Sequence, residues 1–274
     1  RARLATELKH NVALRVEETD DADKFRVSGR GELHLSVLIE NMRREGYELA
    51  VSRPAVIERV VDGVVHEPWE QLTVDFADQY QGGVMTRLAE RKGELISMQP
   101  DGRGRVRLDY RIPARGLIGF RTEYLTATAG TGLLYHIFDG YAPRASGDIG
   151  QRINGALVSM VQGMAVAYAL FNLQERGSLF IGHGAEVYEG MIIGIHSRDN
   201  DLMVNPTKGK QLTNIRAAGS DENIILTPPI KFSLEQALEF IDDDELVEVT
   251  PMSVRLRKKL LKEAERRRDA RARA

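Results

Sequence analysis

A polar segment from His196 to Asn223 contains the residue types best suited to binding a charged partner. Its central part carries three cations, no acidic residue and several neutral hydrogen-bonding groups: Asn205, Lys208, Lys210, Gln211, Thr213, Asn214 and Arg216. Cations are attracted to phosphate, and amide groups can read base edges or ribose hydroxyls. This composition favours an RNA contact, although an exposed polar loop without a partner has the same composition.

A second basic segment follows Met252. Its cations outnumber Glu263, Glu265 and Asp269, and they are Arg255, Arg257, Lys258, Lys259, Lys262, Arg266, Arg267, Arg268, Arg271 and Arg273. Thr250 and Pro251 have the residue types of an N-cap and a first helical position, so we predict a basic helix that starts there. Such a helix binds phosphates by counterion release, and a helix surrounded only by solvent fits equally well.

Motifs for catalysis are missing from the sequence. It has no G-x-x-x-x-G-K-[ST] segment that would cradle phosphates, and Gly102–Gly104 and Gly130–Gly132 are read as turns. The six histidines form no metal-ligand pair, and His183 is read as a surface residue. No nucleophile motif occurs. We therefore predict no catalytic residue, metal site or cofactor within this chain.

Composition excludes further classes. Cysteine is absent, which rules out disulfides and suits a reducing, cytoplasmic compartment. No apolar run is long enough to span a bilayer, and we read the richest one, Ala156 to Leu173, as core. The net charge of −2 hides an acidic cluster at 242–245 and the basic segment after it. The chain starts at Arg1 in what looks like the middle of a helix, so we expect a proteolytic or engineered fragment of a longer protein.

Residues 1–66 read as a first domain with the order α-β-β-α-β. The clearest helix has an apolar stripe at Leu35, Leu38, Ile39 and Met42, and Gly46 is suited to end it. One further strand at the start would complete a ferredoxin-like βαββαβ unit. We therefore predict a ferredoxin-like domain that lacks its opening strand.

Residues 67–144 show the whole βαββαβ pattern. Apolar side chains from Val106 to Ile112 alternate with charged ones, which predicts a strand with one buried face. A turn at Asp101-Gly102 should pair this strand with Glu94 to Met98. The sequence predicts a second ferredoxin-like domain.

Residues 145–274 read as a mostly β domain with a few helices. Short β-like runs are predicted at 157–161, 178–181 and 191–195. Ser233 and Gln236 form a capping box ahead of a helix with an apolar stripe. The predicted fold class is thus α+β, with two ferredoxin-like domains and a β-rich C-terminal domain.

Several motifs resemble those of elongation factor G-like GTPases. GRGELHL at 29–35 resembles a signature of their domain III, and the start of domain V is matched by EPWE at 67–70 and QGGVM at 81–85. The BipA/TypA branch of that family is matched by PARGLIGF at 113–120, TATAGTG at 126–132, GMIIG at 190–194, LTNIR at 212–216 and DELVEVTP at 244–251. The similarity covers essentially the whole chain.

The resemblance implies domain III, domain V and the branch-specific C-terminal domain. It implies a GTPase domain and a β-barrel domain outside this chain, with the GTP and Mg²⁺ site there. It also implies a monomeric regulator of translation or ribosome assembly under stress, which contacts ribosomal RNA of the bacterial large subunit and A-site tRNA. The residues expected at that interface are Arg198, Asn205, Lys208, Lys210, Gln211, Asn214, Arg216, Arg255, Arg257 and Lys258.

Two alternatives remain open from the sequence. A ferredoxin-like fold also hosts small-molecule enzymes such as acyl-phosphate hydrolases, and fold alone does not exclude them. The basic C-terminal segment could instead serve a protein–protein adaptor. Salt dependence and nuclease sensitivity of binding distinguish an RNA partner from a protein partner.

Overall fold

A computed structural model describes residues 1–147, 149, 152, 154–209 and 224–273. The chain forms two compact units, one made of Arg1–Arg53 with Arg152–Ala274 and the other of Pro54–Gln151. Each unit has its own hydrophobic core, and the mixed α+β fold class is confirmed. The division into three domains at residues 66 and 144 stays a prediction.

The N-terminal part of the first unit has the predicted α-β-β-α-β order. Its elements are α1 (Ala2–Glu7), β1 (Arg15–Glu18), β2 (Phe25–Ser28), α2 (Glu32–Arg44) and β3 (Leu49–Ser52). Strands β1 and β2 form an antiparallel pair. Helix α2 buries Leu38 and Ile39 and ends as expected, with Gly46 in the left-handed region at φ +94°. The Tyr47 amide donates to the Met42 carbonyl oxygen at 3.1 Å, which closes the last turn.

Strand β3 does not pair with β1 or β2. It joins β15 (Glu245–Val249), nearly 200 positions later in sequence, with Val51 opposite Val247. The pairing residues alternate between the core and the surface, so local patterning identifies the strand but not its partner. The first segment therefore contributes an edge strand to the sheet of the C-terminal part.

The second unit contains the complete βαββαβ pattern. Its elements are β4 (Arg59–Val61), β5 (Val64–Ala77), a 3₁₀ turn (Asp78–Tyr80), α3 (Gln81–Glu90), β6 (Glu94–Pro100), β7 (Arg105–Pro113), α4 (Ala114–Leu117), α5 (Phe120–Ala127) and β8 (Leu133–Pro143). The strands are antiparallel in the order β8-β5-β7-β6, and β4 extends β5 as a hairpin. This is the ferredoxin-like arrangement that the pattern predicted.

The predicted hairpin between β6 and β7 is confirmed, because Met98 pairs with Leu108. Its turn is held by Asp101, whose Oδ1 accepts the Arg103 and Arg105 amides at 2.7 and 2.9 Å. The alternating side chains of β7 pack with α3 and α5 in one core, which includes Leu108, Ile112, Leu88, Phe120 and Tyr124.

The C-terminal part of the first unit is built on a seven-stranded sheet. Its elements are β9 (Ala156–Ser159), β10 (Gly163–Met164), α6 (Ala167–Leu173), β11 (Gly177–Leu179), β12 (Glu186–Val187), β13 (Met191–His196), β14 (Leu202–Val204), α7 (Leu234–Phe240), β15, β16 (Val254–Lys258) and α8 (Glu263–Arg273). The order is β14-β9-β13-β16-β15-β3, and β11 also pairs with β13.

Both faces of this sheet are covered. Helix α7 packs on one face against Val158, Ile192 and Val247. Helix α6 packs on the other face, where Leu170 lies in a core with Leu157. Helix α7 begins with the predicted capping box, in which Ser233 accepts from the Gln236 amide and Gln236 accepts from the Ser233 amide. None of the described helices is both long and apolar enough to cross a membrane.

The predicted helix starting at Thr250 is wrong. Residues 254–258 form β16, and the basic helix begins only at Glu263. Thr250 instead shapes the turn between β15 and β16, because its Oγ1 accepts the Ser253 amide at 3.0 Å. A Thr-Pro pair suits either a helix start or a turn, and the neighbouring strand β15 decides for the turn.

The interpretation of Ala156–Leu173 as core is only partly correct. Strand β9 is fully buried, whereas Met160, Met164, Tyr168 and Phe171 are exposed. In α6, Ala169 and Leu170 face the core while Tyr168 and Phe171, three positions apart, lie on the opposite side. The apolar stretch that the sequence suggested to be core therefore includes an exposed aromatic face.

Candidate nucleic-acid interface

Asn205 and Lys208 lie directly after β14, and both are exposed. The Asn205 side-chain oxygen accepts the Thr207 amide at 2.9 Å and the Thr207 hydroxyl at 2.8 Å. Asn205 therefore shapes the turn out of the strand, as asparagine commonly does. Lys208 forms no ion pair with a carboxylate of the described residues.

Arg198 is exposed at the opposite end of β14. It follows β13, and its carbonyl oxygen accepts the Gly155 amide at 2.7 Å, where β9 starts. Because β14 runs parallel to β9 and has three residues, about 10 Å of strand separates the two ends. The structure thus places Arg198 and Lys208 apart rather than in one cluster.

Arg255 and Arg257 share one face of β16, and both are half-buried. Arg257 lies opposite Met191, and Arg255 lies opposite Glu248. The Tyr188 hydroxyl donates to Glu248 at 2.7 Å, and burial together with this carboxylate raises the pKa of Tyr188 well above its ordinary value. Arg255 therefore has the Glu248 carboxylate opposite it, whereas Arg257 lies between two apolar partners, Met191 and Leu246.

Lys258 serves the fold. Its side chain is 3% exposed, and its Nζ lies 2.6 Å from Asp201, 2.9 Å from Asp244 and 2.9 Å from Glu245. Burial alone would lower the pKa of Lys258, but the surrounding carboxylates raise it overall. The ammonium group is charged and enclosed by acids, so we do not retain Lys258 among the residues facing a partner.

Arg152 completes this buried charge network. It binds both oxygens of Glu245 at 2.8 and 2.9 Å, and its guanidinium lies 4.4 Å from the centre of the Phe240 ring. Glu245 is fully buried. Burial favours a higher pKa for Glu245, but Arg152 and Lys258 lower the pKa below its usual range. The acidic cluster at 242–245 therefore neutralises two internal cations.

The remaining predicted interface residues are Lys210, Gln211, Asn214 and Arg216, and they lie outside the described residues. The exposed, mobile loop predicted for 205–216 lies mostly outside them too. Its described flanks are both attached to α6. The Val166 amide donates to the Pro206 carbonyl at 2.9 Å, and the Gln174 side chain donates to the Ile225 carbonyl at 3.2 Å.

The basic C-terminal helix α8 is anchored near β14. Arg266 donates to the carbonyls of Leu260 and Leu261 and lies 3.3 Å from the Met203 sulfur in β14. Arg267, Arg268 and Arg271 are exposed, although Arg267 is paired with Glu263 at 2.5 Å. The helix therefore adds exposed cations at its surface while one arginine fastens it to the domain.

Sequence reasoning missed the aromatic face of α6. Its members Tyr168 and Phe171 recur at i and i+3, but flanking Ala169 and Leu170 made the run look uniformly apolar. The number of apolar residues in the run does not show which side of the helix is buried. That becomes visible only once the helix is packed on its sheet. Within the described part of the chain, no three His, Cys, Asp or Glu side chains form a metal-binding group.

Comparison with known proteins gives two adjoining family matches. Residues 154–263 match the TypA/BipA C-terminal domain, and residues 64–152 match the elongation factor G C-terminus. The large ribosomal subunit assembly factor BipA of Salmonella typhimurium is 70% identical over 97% of this chain and 44% of its own length. The proteins of that name from Escherichia coli strain K12 and Haemophilus influenzae are 68% and 66% identical over 98% and 97% of this chain.

The chain spans less than half the length of these relatives, 44% in the Salmonella protein. The matched regions are C-terminal domains, and a GTPase domain is not among these residues. Hydrolysis of GTP is therefore not expected from this chain. With 70% identity across 97% of its residues and the two domain matches, the chain carries the TypA/BipA C-terminal domain together with an elongation factor G C-terminal domain.

Proposed function

We propose that this chain is the ribosome-binding part of a translational GTPase and that it contacts large-subunit ribosomal RNA and A-site tRNA. The relatives are named large ribosomal subunit assembly factors, which supports a ribosomal partner. In this proposal the whole protein acts in translation or subunit assembly under stress, as a monomer in the cytoplasm. Its GTP and Mg²⁺ site lies in a domain outside these residues.

The observation that carries the proposal is the difference in exposure and ion pairing among the cations around β14. Lys258 is enclosed by carboxylates, whereas Lys208 and Arg198 are exposed and form no ion pair with a described carboxylate. Exposed surface cations attract phosphate, and the counterions that RNA releases add to the binding free energy. The exposed positions are therefore the ones that we assign to RNA.

The test is a triple variant in which Lys208, Lys210 and Arg216 are replaced by alanine in the full-length protein. We expect weaker binding to ribosomes and a shallower salt dependence, by about one unit of slope for each phosphate that is no longer neutralised. Binding of GTP should stay unchanged, because its site lies in another domain. Sedimentation with ribosomes over a range of salt concentrations measures both quantities.

A matched control removes three exposed cations elsewhere that form no ion pair with a described carboxylate, with Lys9, Arg26 and Arg30 replaced by alanine. It makes the same change in net charge and should leave the salt slope unaltered. If the two triple variants behave alike, the loop has no specific part in ribosome binding. Binding that resists nuclease treatment and salt would instead favour the protein–protein adaptor.

A further inference from the structure

We infer that the exposed face of α6 is a stacking platform for unpaired bases of single-stranded RNA, formed by the rings of Tyr168 and Phe171. This inference rests on the proposed function and assigns a distinct part of it to named side chains. Lysines and arginines hold the backbone of a nucleic acid, whereas aromatic rings hold its bases.

The position of α6 supports this role. The helix starts beside Pro206, whose carbonyl accepts the Val166 amide, and Lys208 follows two residues later. Three residues beyond its far end, the Arg176 carbonyl accepts the amide of Ser197, the neighbour of Arg198, at 2.9 Å. The helix therefore runs between the two exposed cations that flank β14.

The surface of α6 has the right chemical character. Tyr168 and Phe171 are 37% and 39% exposed, and Met164 and Ile225 next to its two ends are 58% and 77% exposed. Aromatic rings exposed side by side on a helix are not needed for the core, which Ala169 and Leu170 already fill. An apolar surface beside an exposed cation, Lys208, matches the alternation of bases and phosphates in a single strand.

Acidic residues limit the platform on two sides. Glu175 follows directly after the C-cap of α6, and Glu186 lies opposite Met164 in the β10–β12 pair. Both are exposed and would repel phosphate. The strand is therefore expected to cross between Lys208 and Phe171 rather than to follow the helix to its end.

The test uses the 274-residue chain and a fluorescein-labelled polyuridine of about 12 nucleotides, a length within the usual site sizes. Replacing Tyr168 and Phe171 together by leucine keeps apolar packing but removes both rings. We expect affinity to fall roughly 5- to 150-fold for each base that loses its ring. The salt slope should not change, because every cation that neutralises a phosphate is retained.

Two further variants make the result specific. Tyr168→Trp with Phe171→Tyr keeps two rings and should keep the affinity, and its new tryptophan should be quenched on RNA binding. The only native tryptophan, Trp69, is buried in the other unit and supplies a constant background. Leucine at the exposed Tyr47 and Phe138 controls for loss of aromatic surface elsewhere and should have no effect.

Equal affinity of the Tyr168/Phe171 leucine variant and the native chain would overturn the inference. An introduced tryptophan at position 168 that stays unquenched in the RNA complex would overturn it too. Either result would leave ribosome binding by the native chain intact.

Binding to large ribosomal subunits without binding to the oligonucleotide would overturn the platform alone. Failure of the native chain to bind either one would overturn the proposed function as well. If the leucine variant unfolds, the quenching of the tryptophan introduced by Tyr168→Trp decides.

Discussion

Lys258 shows why a basic residue near an RNA-binding segment need not bind RNA. By sequence it belongs to a run with Arg255 and Arg257, yet in β16 it points to the opposite face. There it meets Glu245 and Asp201 in a buried network, whereas its two neighbours stay half-buried on the other side. Alternation along a strand thus separates a structural cation from candidate binding cations only one residue away.

The buried network predicts a large loss of stability in the variant Lys258→Met. Removing the ammonium group leaves Glu245 and Asp201 with less compensation for burial, which typically costs about 3–5 kcal/mol. Urea denaturation followed by circular dichroism measures the change. The same substitution at exposed Lys262 should change stability by less than about 0.5 kcal/mol.

The effect of Lys258→Met should also depend on pH. In the native chain the pKa values of Glu245 and Asp201 are lowered, so their stabilisation is complete above their unfolded values of about 4 and is lost below them. In the variant these carboxylates become easier to protonate. The difference in unfolding free energy should therefore stay large from pH 7 to about pH 4 and shrink as the pH falls further. A difference that stays constant below about pH 4 would contradict the network.

Arg115, within the segment that resembles the family, holds the end of β8 in the second unit. Its Nε donates to the buried Glu67 carboxylate at 2.6 Å, and its other nitrogens donate to the carbonyls of Ala145 and Gly147 at 2.5 and 2.9 Å. Three acceptors arranged around one guanidinium require its fork geometry. A positive charge alone would not satisfy them.

Replacing Arg115 by lysine should therefore destabilise the second unit by about 2 kcal/mol, since lysine cannot reach all three acceptors. Fluorescence of Trp69, the only tryptophan, reports unfolding of this unit. The same replacement at exposed Arg121 is the control and should leave the transition in place. Equal transitions in both variants would show that charge is all that position 115 supplies.

At the scale of elements, local sequence patterns predicted most of the features that depend on residues close together in the sequence. The apolar stripe of α2, the alternation of β7 and the capping box of α7 were each readable within about ten residues, and all three are confirmed. The pairing of β3 with β15 was not readable, because it joins distant segments. Strand β16 was missed since its arginine-rich sequence also suits a helix and only the neighbouring strands select the extended form.

The capping box gives a prediction for α7. Ser233→Ala removes the acceptor of the Gln236 amide and should cost about 1 kcal/mol. Ser233→Asp keeps an acceptor and should keep most of the stability. Urea midpoints of the two variants and the native chain measure this, and a midpoint of Ser233→Ala equal to that of the native chain would mean that the cap contributes nothing.

The candidate interface could be predicted only in part. Asn205, Lys208 and Arg198 are exposed as an RNA contact requires, and their sequence neighbourhood was enough to suggest them. The burial of Lys258 and the exposure of Tyr168 and Phe171 depend on which side of a strand or helix faces the sheet. Composition does not contain that information for a short element inside an apolar or basic run.

At the scale of the whole molecule, net charge misrepresents the surface. The formal charge is −2, yet Asp201, Asp244 and Glu245 are turned towards Lys258 and Arg152. Several negative charges of the first unit are thus neutralised by internal cations, while cations beside β14 and on α8 remain exposed. A protein with slightly acidic composition can therefore present a local surface that attracts phosphate.

The absence of cysteine permits a direct test of the central claim, that the surface around Lys208 faces ribosomal RNA. Lys208→Cys gives the chain a single thiol, to which an iron chelate that generates hydroxyl radicals is attached. Bound to large ribosomal subunits, this derivative should cleave large-subunit RNA at a few local positions, whereas a chelate at Glu18→Cys should cleave elsewhere or not at all. Stable binding without RNA cleavage from position 208 would contradict the account.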